Sequence, residues 1–175
     1  IEAQAVIVAT GARWRELSIP GEKEYMGLGV AFCPHCDGPH FKGKDIAVVG
    51  GGNSGIEAAI DLAGIVKSVT VYEFQEKLNA DEVLIDKARS LGNIKIITNA
   101  RTDKIIGNGD KVTALQYEDR STGKIETQQL DGVFVQIGLI PNSAIAESLV
   151  EMNAYGEIIV DDKCRTSAKG IYAAG

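Results

Sequence analysis

Long hydrophobic runs are missing from this chain of 175 residues. The longest, such as Ala5-Val6-Ile7-Val8-Ala9, fall far short of the roughly 18 apolar residues of a membrane-spanning helix, so no membrane span is expected. Aromatic residues are scarce at 6%, and 18 Lys and Arg stand against 24 Asp and Glu with no basic stripe. That excludes the stacking platforms and cationic faces of nucleic-acid binders. A charged stretch followed by an apolar one, the pattern of a secretory leader, does not open the chain, and a cytoplasmic location is expected. Ile1 is not Met, and the residues after it already read as a strand in progress. Cysteine is sparse too: three cannot form a disulfide framework, because one is always left over. What remains is a globular composition with 45% hydrophobic residues, 24% charged residues, 20 glycines and a net charge of −6.

Val6 to Ala9 reads as a buried strand ended by Thr10-Gly11, and Ser18-Ile19-Pro20-Gly21 has turn chemistry. Residues 27–43 are loop-like and dense in Gly, Pro, His and Cys. Ile46 to Val49 is a strand, followed by a helix in which Ile56, Ala59, Ile60 and Ala63 share one face. A strand at Val69 to Tyr72, a helix from Asp81 to Leu91 and a strand at Ile94 to Ile97 follow. Strands alternating with helices imply parallel pairing through right-handed crossovers. Segments near 103–107, 112–118 and 124–130, divided by Asn108-Gly109-Asp110 and Ser121-Thr122-Gly123, predict an antiparallel meander. Val133 to Ile137 is another strand, and the tail holds a short helix around 143–149 and a strand at Ile158 to Val160. The fold class is therefore α/β, a Rossmann-like parallel sheet with helices plus a β-meander.

Gly50-x-Gly52-x-x-Gly55 follows a strand and opens a helix, the setting that gives this pattern meaning. The first glycine permits the tight turn, the second lets the backbone approach a pyrophosphate, and the third allows close packing of helix on strand. Gly51, Asn53 and Ser54 complete the loop, and Glu57 and Gly138 join them as cofactor-binding candidates. Glu73 ends the second strand, where an acidic residue binds the ribose 2′-hydroxyl of NADH and repels the 2′-phosphate of NADPH. No arginine follows in residues 74–79, and Lys77 is the only cation there to argue otherwise.

Cys33-Pro34-His35-Cys36 admits several readings. A zinc site lacks a second pair at regular spacing. A thioredoxin-like CxxC would begin a helix, whereas Asp37-Gly38-Pro39 suggests a turn. A redox disulfide served by a reduced flavin, and plain structural thiols, both stay open. Cys164 reads as an incidental thiol, and His35 as either a modulator of a thiol or a solvated spacer.

Cys33-Pro34-His35-Cys36-Asp37-Gly38-Pro39, Lys42-Gly43-Lys44, Val48 to Gly55, Val135-Gln136-Ile137-Gly138 with Pro141-Asn142, and Gly170 to Gly175 together resemble the thioredoxin-reductase-like flavoproteins. Within that family, Pro-His between the cysteines and Glu73 resemble the branch that serves peroxide reduction. The resemblance implies an NADH-dependent disulfide reductase that passes electrons through FAD to a Cys33–Cys36 disulfide. From there they would reach an N-terminal thioredoxin-like domain of the parent chain and a peroxiredoxin. It casts Cys36 as the thiol facing the flavin, Cys33 as the attacking thiol and Asp37 as acid/base. Thr10, Gly11, Thr166, Gly170, Ala174 and Gly175 correspond to FAD-contacting positions. It also divides the chain into a nicotinamide domain over 14–138, carrying the cysteine loop, and partial FAD-domain flanks at 1–13 and 139–175. The chain is then expected to be a middle piece that does not turn over alone, its flanks pairing with each other or with a second copy as a homodimer. The alternatives are a thioredoxin reductase proper and a nicotinamide-binding module without chemistry.

Overall fold

The computed structural model describes residues 3–175, and the chain divides into two compact units, Arg15–Gly138 and Ile1–Trp14 with Leu139–Gly175. In the first unit, β3 (Val30–Ala31), β4 (Asp45–Val49), β5 (Ser68–Tyr72), β6 (Ile94–Ile97) and β10 (Gly132–Val135) form a parallel sheet in the order β3-β10-β4-β5-β6. The crossovers run through α2 (Asn53–Ala63) and α3 (Glu82–Ser90). Strand alternation sorts the core into two layers. Ile46, Val48, Val69, Val71 and Phe134 face the helices, where they pack with Ile56, Ala59, Leu62 and Ala88. Ala47, Val49, Tyr72, Val133 and Val135 face the other way and meet Ile105, Val112, Leu115 and Tyr117. These last residues belong to the meander of β7 (Ala100–Gly107), β8 (Val112–Asp119) and β9 (Lys124–Gln129). One polar clasp joins sheet to meander. The Tyr72 hydroxyl donates to Gln128 Oε1 (2.6 Å), and Gln128 Nε2 donates to Thr70 Oγ1 (2.9 Å).

The stretch 27–43, expected to be loop, is more ordered than its composition suggests. It contains β3, then α1 (Pro34–Asp37), then a 3-10 turn over Gly38–Phe41. The cysteine motif does begin a helix, but only a single turn of it: α1 ends at Asp37, and the 3-10 turn takes over at Gly38, where the break was expected. Pro34 and Pro39 stand at the first turns of these two short segments, where a missing N–H costs nothing.

In the second unit, β1 (Val6–Val8) pairs in parallel with β12 (Ile171–Ala173), and β2 (Ala12–Trp14) pairs antiparallel with β11 (Leu139–Pro141). The two flanks do pair with each other, but not through the segment expected. Ile158 makes only an isolated bridge to Met152, and no strand covers 158–160. The helix expected around 143–149 is a single 3-10 turn at Ala144–Ala146. Among the described residues, no helix is long and apolar enough to cross a membrane.

Candidate functional site

Strand order reverses direction at β4: the chain goes on to β5 and β6 on one side, while β10 and β3 lie on the other. Crevices form at the carboxyl ends of strands at such a switch point. Here a cleft of about 620 Å³ opens, lined by Gly50, Gly51, Gly52, Asn53 and Ser54 after β4, by Glu73 after β5 and by Gly138 after β10. Gly50 has φ of 120°, and a Cβ there would meet the Gln136 carbonyl oxygen at 2.2 Å. A Cβ on Gly55 would lie 1.9 Å from the Gly50 carbonyl oxygen, so α2 packs directly on the turn. Gly52 is different. Its nearest neighbour would be the Asn79 carbonyl oxygen at 3.7 Å, an ordinary contact, so a Cβ would fit here.

Gly52 caps α2 without a side chain, which leaves first-turn N–H groups of the helix free for an anion. Asn53 instead ties α2 to the start of α3, its Nδ2 donating to Asp81 Oδ2 (3.1 Å) and its Oδ1 accepting from the Asp81 N–H (2.8 Å). Glu73 is 9% exposed, and its carboxylate accepts from the Gly51 N–H (2.6 Å) and the Gln75 N–H (2.7 Å). The acidic residue and the glycine loop are thus one hydrogen-bonded assembly. Glu57 is exposed one turn along α2 and does not line the cleft, nor does Gly55.

Cleft residues arriving from elsewhere in the chain carried no signal in the sequence. Leu17 and Ile19 form one wall, folded into place by Glu22. That carboxylate, 0% exposed, accepts from the N–H groups of Leu17 (2.8 Å) and Ser18 (2.7 Å). Ala100, Arg101 and Thr102 enter from β7, and Phe74 and Tyr72 from the end of β5. Burial pushes the Tyr72 hydroxyl well above its ordinary pKa, so it stays neutral. Lys77, the one cation after β5 that could have argued for NADPH, lines a separate cavity between α3 and β6; the cation lining the cleft is Arg101.

Cys33 and Cys36 form a disulfide. Cys33 is the N-cap of α1, and its Sγ accepts from the Cys36 N–H (3.2 Å). Asp37 follows, half-buried, with its N–H donating to the Cys33 carbonyl (3.0 Å). His35 points away to Asp61 on α2, with Nε2 3.6 Å from the carboxylate. Cleft and disulfide are linked by one side chain: Gln136, 6% exposed, lines the cleft and donates through Nε2 to the Phe32 carbonyl (2.6 Å), one residue before Cys33. Among the described residues, no three His, Cys, Asp or Glu side chains are grouped to hold a metal ion. In the second unit, a cavity of about 700 Å³ gathers Thr10, Gly11, Ala174 and Gly175, but Thr166 and Gly170 lie outside its lining. Cys164 lines it, exposed.

A glycine cradle and a CxxC disulfide on one unit narrow the comparison. All of residues 1–175 match the model of the pyridine nucleotide-disulphide oxidoreductases. The chain belongs to that family. Two curated members align over the whole chain: the F subunit of alkyl hydroperoxide reductase from Pseudomonas putida at 59% identity and that from Escherichia coli (strain K12) at 57%. The chain spans 34% of the length of each. Among solved oxidoreductases of this kind, thioredoxin reductase of T. acidophilum superposes with a TM-score of 0.90 at 42% identity, covering 99% of this chain and 57% of that one. Lactococcus lactis thioredoxin reductase (FR conformation) also gives 0.90, at 36% identity, covering 98% and 56%. The α/β fold, with its parallel sheet and antiparallel strands, is that of the thioredoxin reductases.

Proposed function

We propose that this chain is the NADH-binding and disulfide-bearing part of a flavoprotein disulfide reductase that supplies electrons to a peroxiredoxin and so to the reduction of alkyl hydroperoxides. One observation carries the reading: the glycine cradle with its Glu73 clasp and the Cys33–Cys36 disulfide stand on one unit, bridged by Gln136. The balance is simple: NADH, one proton and the disulfide give NAD⁺ and two thiols. The pyrophosphate would lie over Gly52, where no Cβ intrudes, against the N–H groups of the first turn of α2. The ribose hydroxyls would donate to the remaining lone pairs of Glu73, while a 2′-phosphate would face that carboxylate at close range. Cys33, whose sulfur already accepts an α1 N–H, is the better stabilised thiolate and attacks the partner disulfide. Cys36 is the flavin-side thiol, and Asp37 protonates the leaving thiolate.

The lining of the second unit's cavity, with Gly11 at φ of 63° and no atom within 4 Å of a Cβ built there, suits close approach of a flavin nucleotide. FAD held there would supply two-electron chemistry of the kind that couples a nicotinamide to a disulfide. An N-terminal thioredoxin-like domain as next acceptor, a cytoplasmic location and pairing of two copies belong to the same proposal. Calorimetric titration tests it. NADH should bind more tightly than NADPH, and NADH alone should leave the disulfide oxidised until the remaining flavoprotein is supplied. Equal or tighter binding of NADPH would remove Glu73 from its role.

A further inference from the structure

A coenzyme with a 2′-phosphate needs a cation at the ribose end of its cleft, and this cleft has one that is tied down. Ala100 N–H donates to the Glu73 carbonyl (2.8 Å), which sets the start of β7 beside the strand end that carries the ribose-selecting carboxylate. Arg101 is the next residue and lines the cleft. Its guanidinium is already shared between two acids, with Nε 2.8 Å from Asp103 Oδ1 and Nη2 2.6 Å from Glu118 Oε2. The ladder register puts both acids there. Glu118 is the direct cross-strand partner of Arg101, and Asp103 is the residue skipped where the β7–β8 register shifts between Thr102 and Lys104. A bulge of this kind re-aims a side chain. The other guanidinium nearby, Arg120, is also committed: it stacks 3.8 Å over the Phe74 ring and donates to the Phe74 carbonyl (2.7 Å).

We infer that Asp103 and Glu118 are specificity-determining residues, a carboxylate clamp that withholds Arg101 from a coenzyme 2′-phosphate and so reinforces the discrimination begun by Glu73. This rests on the reading of the cleft as an NADH site. Swinging Arg101 toward a phosphate would break a charge-assisted hydrogen bond to Asp103 and an ion pair with Glu118, and leave two carboxylates, each only about a quarter exposed, without their cation. Glu73 alone would repel the phosphate; the clamp also denies it a counter-charge.

The test titrates the 175-residue chain, its D103N/E118Q variant and a D103N/E118Q/R101A variant with NADH and NADPH at one ionic strength. The ratio of the NADPH Kd to the NADH Kd should fall roughly tenfold in the double variant, the scale of one new charge-assisted hydrogen bond. It should return to the starting value once Arg101 is removed as well. D103N and E118Q taken singly should each move the ratio part of the way, which carries the test if the double variant loses its circular-dichroism spectrum. An unmoved ratio overturns the inference while leaving the NADH reading intact. A lowered ratio that persists without Arg101 also overturns it, because the effect would then be general charge. A starting chain that binds neither coenzyme overturns both.

Discussion

Gln136 has the most to do of any single residue in the first unit. Its backbone N–H donates to Val49 (2.8 Å), its carbonyl closes the space above Gly50, and its side chain holds Phe32 at the entrance to α1. Gln136→Leu keeps the bulk and removes the donor to the part-buried Phe32 carbonyl. A loss of about 1 kcal/mol in stability is expected, the ordinary net contribution of one hydrogen bond. A purely global effect would change exchange everywhere. The local prediction is that the amides of Cys36 and Asp37 exchange faster by hydrogen–deuterium exchange at conditions where β5 amides do not. Uniform exchange across both segments would mean that Gln136 does not position the disulfide.

The glycine loop behaves as an element because its three glycines answer to different neighbours. Gly55→Ala would drive a Cβ to 1.9 Å from backbone oxygen, so strand and helix must separate. Such overpacking costs about 1–3 kcal/mol and sometimes more, and thermal unfolding should register it. Gly52→Ala meets nothing nearer than 3.7 Å and has ordinary backbone angles, with φ of −82°. Its melting temperature should stay close to that of the parent chain while NADH binding is lost, because the new methyl occupies the space assigned to the pyrophosphate. Equal melting temperatures for the two variants, or retained NADH binding by Gly52→Ala, would show that the cradle is read wrongly.

At the scale of the whole molecule, hydrogen-bonded carboxylates set an acid limit. Asp45 is held below the usual carboxylate range by hydrogen bonds from Lys67 and Ser68, Asp119 by Ser121 and Thr122, and Glu126 by Lys124 and Tyr117. A carboxylate with a depressed folded pKa contributes stability in full above its unfolded value, about 4, and loses it as pH falls through the folded value. All three lie in the Arg15–Gly138 unit. Its melting temperature, followed by far-UV circular dichroism, should therefore hold steady from pH 7 to about 5 and decline below about 4. A melting temperature that rises on acidification below pH 4 would contradict these pairings. High salt should weaken the effect only modestly, since these contacts are short and screening acts chiefly on separated charges.

Local pattern was enough to find β4, β5, β6, β10, α2, α3, the meander and the glycine loop, because periodicity and turn chemistry are properties of neighbouring residues. The acidic position at Glu73 and the cysteine pair were legible for the same reason: each is defined by its place relative to a strand end or by spacing. Other features had to wait for tertiary contacts. β3 is only two residues long, and β2 and β11 three each, too short for any period, so they exist as strands only because a partner lies beside them. The 158–160 segment looked like a strand by composition, yet β1 pairs with Ile171–Ala173 instead. Arg101 is far from Glu73 along the chain and reaches the cleft only because β7 docks on the end of β5. Whether its charge is offered to a ligand or held by Asp103 and Glu118 depends on the register of β7 and β8 and on one bulge, which no run of neighbouring residues specifies.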